Sequence, residues 1–231
     1  MKKGAGDYLR AQSGSVGRHI AEELLMLAAG WIPGVTGIAI RAPLWRLLIK
    51  GKGLFAADTG VIIKHTGTIE IGAGVFLDRR VYLHGGEKIL RIGDGVRIMF
   101  GAEVNVYNHR GLDCSYIEIG ANSVIGPGCV ITGQGGVKIG KDVIIGPRAL
   151  ILPVDHNYDR AGINIRDQGI NPSPISIEDN VWIGGGAIIL GGVTVGSGSV
   201  IGAGSVVKED VPPRCVAVGN PIKVVRRLDA E

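Results

Sequence analysis

The sequence predicts an all-β solenoid in which short parallel strands stack as coils. Three observations indicate this fold. Between residues 177 and 207 an aliphatic side chain returns every sixth position, at Ile177, Ile183, Ile189, Val195, Ile201 and Val207. A residue of small or moderate volume follows four positions after each of the first five, and Gly, Asn, Asp or Ser fill many of the positions between them. The 231 residues include 39 Gly and only 5% aromatic residues, which suits many corners around an aliphatic core.

A period of six is typical of neither an α-helix nor a simple strand. Six residues make one short extended side and one corner, and Gly, Asn and Asp tolerate the left-handed backbone angles that corners need. Three such sides close a triangular coil, so the chain should return to the same face after 18 residues. Successive coils should then stack about 4.8 Å apart as parallel strands, with Ile and Val pointing inward.

Residues 1–60 are predicted to form an amphipathic helical segment in front of the solenoid. Two short helices, at 18–30 and 41–49, are expected to be joined by the turn I-P-G-V-T-G. The uncharged run 24–40 is shorter than the roughly 20 apolar residues that span a membrane, and Gly and Pro interrupt it. The basic second helix favours two interpretations. In the first interpretation, residues 20–52 lie in a membrane interface. In the second, the helices cap the open end of the solenoid.

The solenoid is predicted to occupy residues 61–211, followed by a short tail at 212–231. Two long stretches interrupt its six-residue period. Residues 107–116 break the period and must bulge out as a loop. The longer, polar loop at 153–174 leaves directly after an intact coil, so its base should be rigid. The ladder ends at the Pro-Pro pair that follows Val211, because proline cannot donate a ladder hydrogen bond.

Charge and cysteine content exclude several classes of function. The formal net charge of +4 is mild, and Lys and Arg are scattered without interleaved aromatic residues, so no nucleic-acid partner is expected. Cys114, Cys129 and Cys215 are odd in number and lack C-x-x-C spacing. We therefore predict a cytoplasmic location, with neither a disulfide framework nor a metal site.

The repeat resembles that of the hexapeptide-repeat acyltransferases, and among these the galactoside, maltose and polysaccharide O-acetyltransferases. The resemblance covers roughly residues 60–227 and implies a left-handed parallel β-helix. It also implies acetyl-CoA as co-substrate, a sugar or glycan hydroxyl as acceptor, and a homotrimer with active sites between subunits. Polysaccharide O-acetyltransferases with a similar P-G-x-x-G and basic helix before the solenoid favour contact with the inner face of the membrane.

Catalytic chemistry is expected at an interruption of the solenoid, and the loop at 153–174 carries His156 between Asp155 and Asn157. Imidazole is the side chain best suited to accept a proton from a hydroxyl at neutral pH. In the family that the chain resembles, the catalytic His follows the pattern I-G-x-x-V-x-I-x-P, and here I-G-K-D-V-I-I-G-P leads to His156. The resemblance therefore implies that His156 is the general base of a direct transfer. Asp155, Asn157, Arg166 and Asn105 are the predicted acceptor contacts.

The predicted donor contacts come from the resemblance. The pattern N-V-W-I-G-x places Gly185, and I-G-A-G-S places Ala203, where backbone groups of the family contact the pantetheine arm. The tail pattern P-x-x-V-x-R places Lys223 and Arg226 where the family binds the phosphates of the cofactor, for which fixed cations are the physical match. The family often has Thr-Lys after A-G-S-x-V. This chain has Lys208 one position earlier, and we predict that it supplies the charge.

Three alternative functions remain open from the sequence. The acceptor could be an amino sugar, which would make the protein an N-acetyltransferase. A metal enzyme of the γ-class carbonic anhydrase type needs three His ligands from neighbouring coils, and His65, His84 and His109 are not spaced for that. A non-catalytic β-helix scaffold would bind no CoA and would tolerate replacement of His156.

Overall fold

The computed structural model describes residues 14–86, 88–106 and 111–228, so His109 lies outside the described residues. Within these residues two helices come first, α1 (Val16–Ala29) and α2 (Gly34–Arg46). In this part of the chain neither helix is long and apolar enough to cross a membrane.

Twenty-four short strands follow the helices in the described ranges up to residue 228. The first eight are β1 (Ala56–Ala57), β2 (Ile62–Lys64), β3 (Ile69–Ile71), β4 (Phe76–Leu77), β5 (Tyr82–His84), β6 (Leu90–Ile92), β7 (Arg97–Ile98) and β8 (Glu103–Asn105). The next eight are β9 (Ile117–Ile119), β10 (Val124–Ile125), β11 (Val130–Thr132), β12 (Val137–Ile139), β13 (Ile144–Ile145), β14 (Leu150–Leu152), β15 (Val154–His156) and β16 (Ile170–Pro172). The last eight are β17 (Ile175–Ile177), β18 (Trp182–Ile183), β19 (Ile188–Leu190), β20 (Thr194–Val195), β21 (Val200–Ile201), β22 (Val206–Val207), β23 (Cys215–Val218) and β24 (Lys223–Arg227).

Three sheets form the sides of a triangular prism. Their strand orders are β1-β4-β7-β10-β13-β18-β21-β23-β24 in the nine-stranded sheet, β2-β5-β8-β11-β14-β19-β22 in the seven-stranded sheet and β20-β17-β12-β9-β6-β3 in the six-stranded sheet. Each coil gives one strand to each sheet, and neighbouring coils pair in parallel, as Ile183 does with Ile201 one uninterrupted coil of 18 residues later. The predicted left-handed parallel β-helix is confirmed.

The core is a stack of inward-pointing aliphatic side chains. The repeated Ile and Val positions are fully buried, including Ile131, Ile151 and Ile189. The small residues of the repeat lie at the corners, where a buried side chain can bond to the next coil. Ser199 Oγ donates to the carbonyl oxygen of Pro212 at 2.8 Å. Cys129 Sγ lies 3.0 Å from the carbonyl oxygen of Gly146, and burial raises the pKa of the Cys129 thiol.

Glycine follows the inward aliphatic residue at several corners because stacked coils approach closely there. A Cβ added to Gly184 would lie 2.4 Å from the backbone nitrogen of Ala203 in the next coil. One added to Gly146 would lie 2.5 Å from the backbone nitrogen of Gly185. The I-G dipeptide of the repeat is therefore a steric requirement of the 4.8 Å coil spacing.

The outer face of the six-stranded sheet is polar and carries alternating charges. Glu70, Arg91, Glu118 and Lys138 are consecutive partners across four coils. Arg91 donates to Glu70 at 3.0 Å and also contacts Glu118, and the hydrogen bond to Glu70 raises the pKa of Arg91. These pairs are exposed, so each contributes only a few tenths of a kcal/mol to about 1 kcal/mol.

The outer faces of the other two sheets are largely apolar in their later coils. On the nine-stranded sheet, Ile144 and Trp182 are neighbours in register and are both about half exposed. On the seven-stranded sheet the outward positions are occupied by Val130, Leu150, Leu152, Ile188, Leu190 and Val206. The prism therefore has one charged side and two sides suited to contact with another apolar surface.

The two helices cover the first coil of the solenoid, as one of the two sequence interpretations proposed. Trp45 at the end of α2 is buried in the same core as Phe55 and Ile49. Arg41 is also buried, with 1% of its surface exposed. Its Nε donates to the carbonyl oxygen of Ala57 in the first coil at 2.8 Å. The helices therefore seal the open end of the core.

Helix α2 begins earlier than the sequence predicts, at Gly34 instead of residue 41. The predicted turn is shorter because the helix closes tightly on the segment before it. Arg41 Nη1 donates to the carbonyl oxygens of Ala29 and Ile32 at 2.8 and 2.7 Å. Gly37 allows this approach, since an added Cβ would lie 2.0 Å from the Ile32 carbonyl oxygen. This packing could not be inferred from local turn signals.

Candidate functional site

The interruptions of the repeat leave the prism at one corner, which we call the loop corner. It joins the seven-stranded sheet to the six-stranded sheet, and the described residues of its larger segments are 85–86 with 88–89, 106 with 111–116, 133–136 and 153–174. The strands that lead into the last three of these, β8, β11 and β14, are consecutive neighbours. The bases of the loops at 106–116 and 153–174 are therefore two coils apart, or about 10 Å.

His156 stands on a small antiparallel hairpin formed by β15 and β16. The two strands leave the prism at the loop corner, where the backbone nitrogen of Ser173 donates to the carbonyl oxygen of Pro153 at 2.8 Å. His156 is the last residue of β15, opposite Ile170, and its side chain is exposed. The paired strands of the hairpin thus hold the imidazole away from the solenoid while leaving it accessible.

Gln168 ties the far end of this loop together. Its side chain is buried, and its Nε2 donates to the carbonyl oxygens of Arg160 and Ile163 at 3.0 and 2.9 Å. Its Oε1 accepts from the backbone nitrogen of Arg160 at 2.9 Å. Asn157 Nδ2 donates to the Gln168 carbonyl oxygen at 3.2 Å. The predicted acceptor residue Asn157 therefore also holds the loop that carries His156.

The other predicted acceptor residues have different surroundings. Asp155 is exposed on β15, opposite Asn171 and next to His156. Arg166 lies in a short 3-10 turn and is 3.7 Å from the Asp167 carboxylate, with both side chains largely exposed. Asp155 therefore precedes His156 on the strand, where successive side chains project to opposite faces, whereas Arg166 lies beyond the hairpin.

Asn105 ends β8 at the loop corner and is 1% exposed. Its Nδ2 donates to Glu103, and within the described residues its Oδ1 has no hydrogen-bond partner. His84 is its neighbour in register, and the His84 ring lies 5.3 Å from that of His65 and 6.2 Å from that of Tyr82. Sequence reasoning missed this buried cluster of rings, although His65 and His84 are separated by about one coil.

The predicted donor residues Gly185 and Ala203 lie at another corner, which joins the nine-stranded sheet to the seven-stranded sheet. We call it the glycine corner, and its later segments are residues 126–129, 146–149, 184–187 and 202–205. Ala203 is exposed, and Gly185 packs on Pro147 of the preceding coil, to which an added Cβ would be 3.3 Å. Small residues leave the backbone of this corner open in its last two coils.

A groove of about 510 Å³ continues the glycine corner towards the first coils. It is lined by Phe100, Gly101, Pro127, Gly128, Pro147 and Arg148. Arg80 of the coil before also lies over the Phe100 ring, at 6.0 Å from its centroid. Sequence reasoning did not single out this groove. The sequence feature that could have indicated the groove is the pair Pro127 and Pro147, which occupy equivalent places in two consecutive coils.

The cationic donor residues are divided between the two corners. Lys223 and Arg226 are exposed on β24, which pairs with β23 at the last coil. Lys223 lies opposite Val218, whose side chain covers the glycine-corner residue Gly202. Lys208 is exposed after β22, at the loop corner. Lys223 therefore lies nearest to the predicted pantetheine contacts.

Within one protomer the two predicted half-sites are separate. His156 follows the seven-stranded sheet, whereas Gly185 and Ala203 precede strands of the same sheet. They lie at opposite ends of strands of two or three residues, each about 7–10 Å long. Among residues 14–86, 88–106 and 111–228, no group of three or more His, Cys, Asp or Glu side chains is arranged to hold a metal ion.

Comparison with known protein families finds two matches to repeats. The model of the bacterial transferase hexapeptide (six repeats) matches residues 174–209, and the model of the hexapeptide repeat of succinyl-transferase matches residues 116–147. The first match contains the strict repeat from Ile177 to Val207, with Gly185 and Ala203.

Similarities to individual proteins agree with these family matches. Nodulation protein L of Rhizobium meliloti is 45% identical over 118 residues, which are 48% of this chain and 61% of that protein. The crystal structure of the polySia-specific acetyltransferase NeuO is 27% identical, with a TM-score of 0.53 over 79% of this chain and 83% of that one.

AntD, an N-acyltransferase from Bacillus cereus crystallised with dTDP and coenzyme A, shares the fold. Its identity is 19% and its TM-score 0.53, over 78% of this chain and 83% of that one. The matched stretches cover between 45% and 61% of the length of three curated relatives.

Proposed function

Because this chain belongs to the hexapeptide-repeat acyltransferase family, we propose that it transfers the acetyl group of acetyl-CoA to a hydroxyl of a sugar or glycan. The observation that carries the proposal is the placement of His156, an exposed imidazole on a paired hairpin whose loop is tied together by Gln168. A base held in this way is accessible to a large acceptor and still fixed in position. The polySia-specific NeuO supports a glycan as the acceptor.

The proposed reaction is a direct transfer. His156 accepts the proton of the acceptor hydroxyl while the hydroxyl oxygen bonds to the acetyl carbon. The new carbon–oxygen bond replaces the carbon–sulfur bond of the thioester, and the imidazolium then gives its proton to the leaving sulfur. Asp155, Asn157, Arg166 and Asn105 are the proposed acceptor contacts.

The glycine corner fits an extended thioester donor. Gly185 and Ala203 carry no side chain beyond Cβ, so a narrow pantetheine arm can approach the backbone of two consecutive coils. Lys223 lies beside this corner, and Arg226 follows on the same strand. These cations, with Lys208, are the proposed partners of the phosphates of the donor. When bound, acetyl-CoA supplies the activated acetyl group.

We propose further that the active site forms between two subunits of a homotrimer. Two observations support this assembly. His156 and the glycine corner are at opposite ends of the seven-stranded sheet, so a second copy can bring a glycine corner towards His156. The nine-stranded and seven-stranded sheets also expose apolar outer faces, with Ile144 and Trp182 half exposed, whereas the third face carries alternating charges. Burial of those two faces between subunits is favourable.

The function is tested with labelled acetyl-CoA and a panel of simple glycosides, nucleotide sugars, lipid-linked sugars and amino sugars. We expect acetyl-CoA-dependent labelling of at least one sugar or glycan, and release of the label by mild base, because an acetyl ester is cleaved far more readily than an acetamide. Base-resistant labelling restricted to amino sugars would establish N-acetylation instead. Absence of CoA binding, together with no transfer to any acceptor, would favour the scaffold interpretation.

Mixed trimers provide a direct test of a site shared between subunits. His156→Asn removes the base, and Ala203→Trp blocks the glycine corner, which is exposed and can accept the indole without disturbing the core. Each variant alone should be inactive. In a randomly assembled equal mixture, about one quarter of all sites would combine an intact His156 with an intact neighbouring glycine corner. We therefore expect about one quarter of the wild-type activity after co-expression.

Light scattering on each parent variant is the control for this experiment, because both must remain trimeric. A mixture that is trimeric and as inactive as its parents would place the whole site within one protomer. A monomeric wild-type protein would contradict the proposed assembly directly.

A further inference from the structure

The helical cap presents an apolar outer surface. Large apolar side chains on it are exposed, among them Leu27 at 75%, Trp31 at 69%, Val35 at 83% and Leu47 at 80%. The full set, which we call the cap surface, is Val16, Ile20, Leu24, Leu27, Trp31, Val35, Ile40, Leu47 and Leu54. From residue 24 to residue 40 the sequence contains no charged residue. Such a concentration of exposed apolar side chains indicates an interaction surface.

The exposed residues of α1 form one stripe. Val16, Ile20, Leu24 and Leu27 recur at intervals of four, four and three residues, so they lie on one side of the helix within about 80° of one another. None of the four is among the buried residues of α1. The solenoid is therefore packed against the other side of the helix, and the apolar stripe faces outward.

The polar residues of the cap point the other way. Glu22 of α1 is fully buried, and its Oε1 accepts from the backbone nitrogen of Thr66 at 2.9 Å. Arg18 donates to the Leu48 carbonyl oxygen and to Thr66 Oγ1 at 3.0 and 2.9 Å. Arg41 of α2 is buried and bonds to backbone carbonyl oxygens. Glu22, Arg18 and Arg41 thus face the interior, whereas Glu23 is exposed and pairs with Lys64 of the first coil. Most of the outward surface of the cap is apolar, the reverse of a helix that faces water.

Positive charge lies beside the cap surface. Lys50 and Lys52 are exposed between Leu47 and Leu54. Tryptophan and lysine beside an apolar helix face are the side chains favoured at the boundary between lipid headgroups and acyl chains.

A second copy of the chain is a poorer occupant of this surface. In a two-fold contact the same patch meets itself, so the lysines at 50 and 52 of one copy would approach those of the other. Such a contact would bury apolar area but bring like charges together. An anionic bilayer instead satisfies both features at once, since the apolar stripe enters the interface and the lysines remain at the level of the anionic headgroups.

We propose that the cap surface binds the face of an anionic lipid bilayer, with α1 lying in the plane of the interface. The solenoid then projects away from the bilayer, since the cap closes one end of the prism. In the proposed homotrimer, three caps at the same end would reach one bilayer together, which would strengthen binding. The binding itself does not depend on acetyl transfer, so failure of one proposal leaves the other testable.

Vesicle flotation of the full-length protein tests this surface. The probes are vesicles of phosphatidylcholine alone and of phosphatidylcholine with about one third phosphatidylglycerol, a fraction that gives a strongly negative surface. We expect the protein to float with the anionic vesicles. Leu24→Gln/Leu27→Gln/Trp31→Gln should weaken that binding about tenfold or more. Lys50→Gln/Lys52→Gln should weaken it less, and should reduce its sensitivity to salt.

Val224→Gln/Val225→Gln is the matched control, because these exposed residues lie on β24 at the far end of the prism. It should float like the wild type. Circular dichroism and light scattering on all variants separate lipid binding from misfolding. The proposal is overturned if the folded wild-type protein floats with neither kind of vesicle. It is also overturned if the triple variant floats with the anionic vesicles to the same extent as the wild type. It is also overturned if that variant changes the oligomeric state in the absence of lipid, which would identify a second copy as the occupant.

Discussion

Replacing His156 with asparagine is expected to lower kcat for acetyl transfer by about two to four orders of magnitude, the range contributed by a positioned general base. Asparagine keeps the side chain polar and of similar length but cannot take up the proton of the acceptor hydroxyl. His156 is exposed on β15 and is not part of the core, so its replacement leaves the fold intact. The dissociation constant of acetyl-CoA should be unchanged, because the proposed donor contacts lie at the glycine corner. Steady-state kinetics and calorimetric titration measure the two effects separately.

Two further variants separate loss of the base from a general disturbance of the loop. Asp159→Asn alters an exposed residue just beyond the hairpin and should retain wild-type turnover. In His156→Ala, added imidazole should restore part of the rate, since it can enter the space left by the side chain and act as the base. Normal turnover by His156→Asn would eliminate the proposed mechanism.

Replacing Arg41 with methionine is expected to lower the free energy of unfolding by about 3–5 kcal/mol, because each buried carbonyl oxygen that loses its donor costs about 1–3 kcal/mol. The wild-type guanidinium joins the cap to the solenoid, because it donates to the carbonyl oxygens of Ala29 and Ile32 in the cap and of Ala57 in the first coil. Burial lowers the pKa of Arg41, which reflects the cost of desolvating the charge that these oxygens offset. Methionine fills a similar volume but removes the guanidinium donor from all three oxygens, of which that of Ala29 still accepts from the backbone nitrogen of Ile32 at 3.3 Å.

Urea denaturation followed by circular dichroism measures this change. Because each coil of a solenoid is supported by its neighbours, loss of the cap should also expose the first coil, and amide exchange should rise in β1 and β2 before it rises in later strands. Lys52→Met is the matched control, since Lys52 is exposed, and its effect should stay within about 0.5 kcal/mol. Equal stability of the Arg41 and Lys52 variants would show that the buried guanidinium is not what holds the cap.

The strict repeat made the core predictable at the level of individual residues. Inward positions such as Ile183 and Ile201 are buried as the period requires, and Cys129 occupies a corner position inside the core. The loop at 153–174 was also visible as a break in that period. Each of these features depends on residues within one or two repeats, so the local sequence contains the information needed.

The same reasoning failed where distant segments meet. The start of α2 depends on contacts of Gly37 and Arg41 with the Ile32 carbonyl oxygen, which no turn signal reveals. The role of Gln168 depends on carbonyl oxygens several residues away in a folded loop. The groove beside Phe100 forms only when coils stack, since its walls come from three of them.

By itself, the sequence determined the solenoid, its inward and corner positions and the loop that carries His156, because a period of six is satisfied within each coil whatever the rest of the chain does. Only the tertiary structure decided that the loops share one corner, that His156 and Gly185 lie at opposite ends of one sheet, and that the cap turns Arg41 inward and Leu27 outward. Those relations depend on the order in which sides follow one another around the prism and on which face of a helix meets the core. No six-residue segment of the sequence contains either of these two kinds of information.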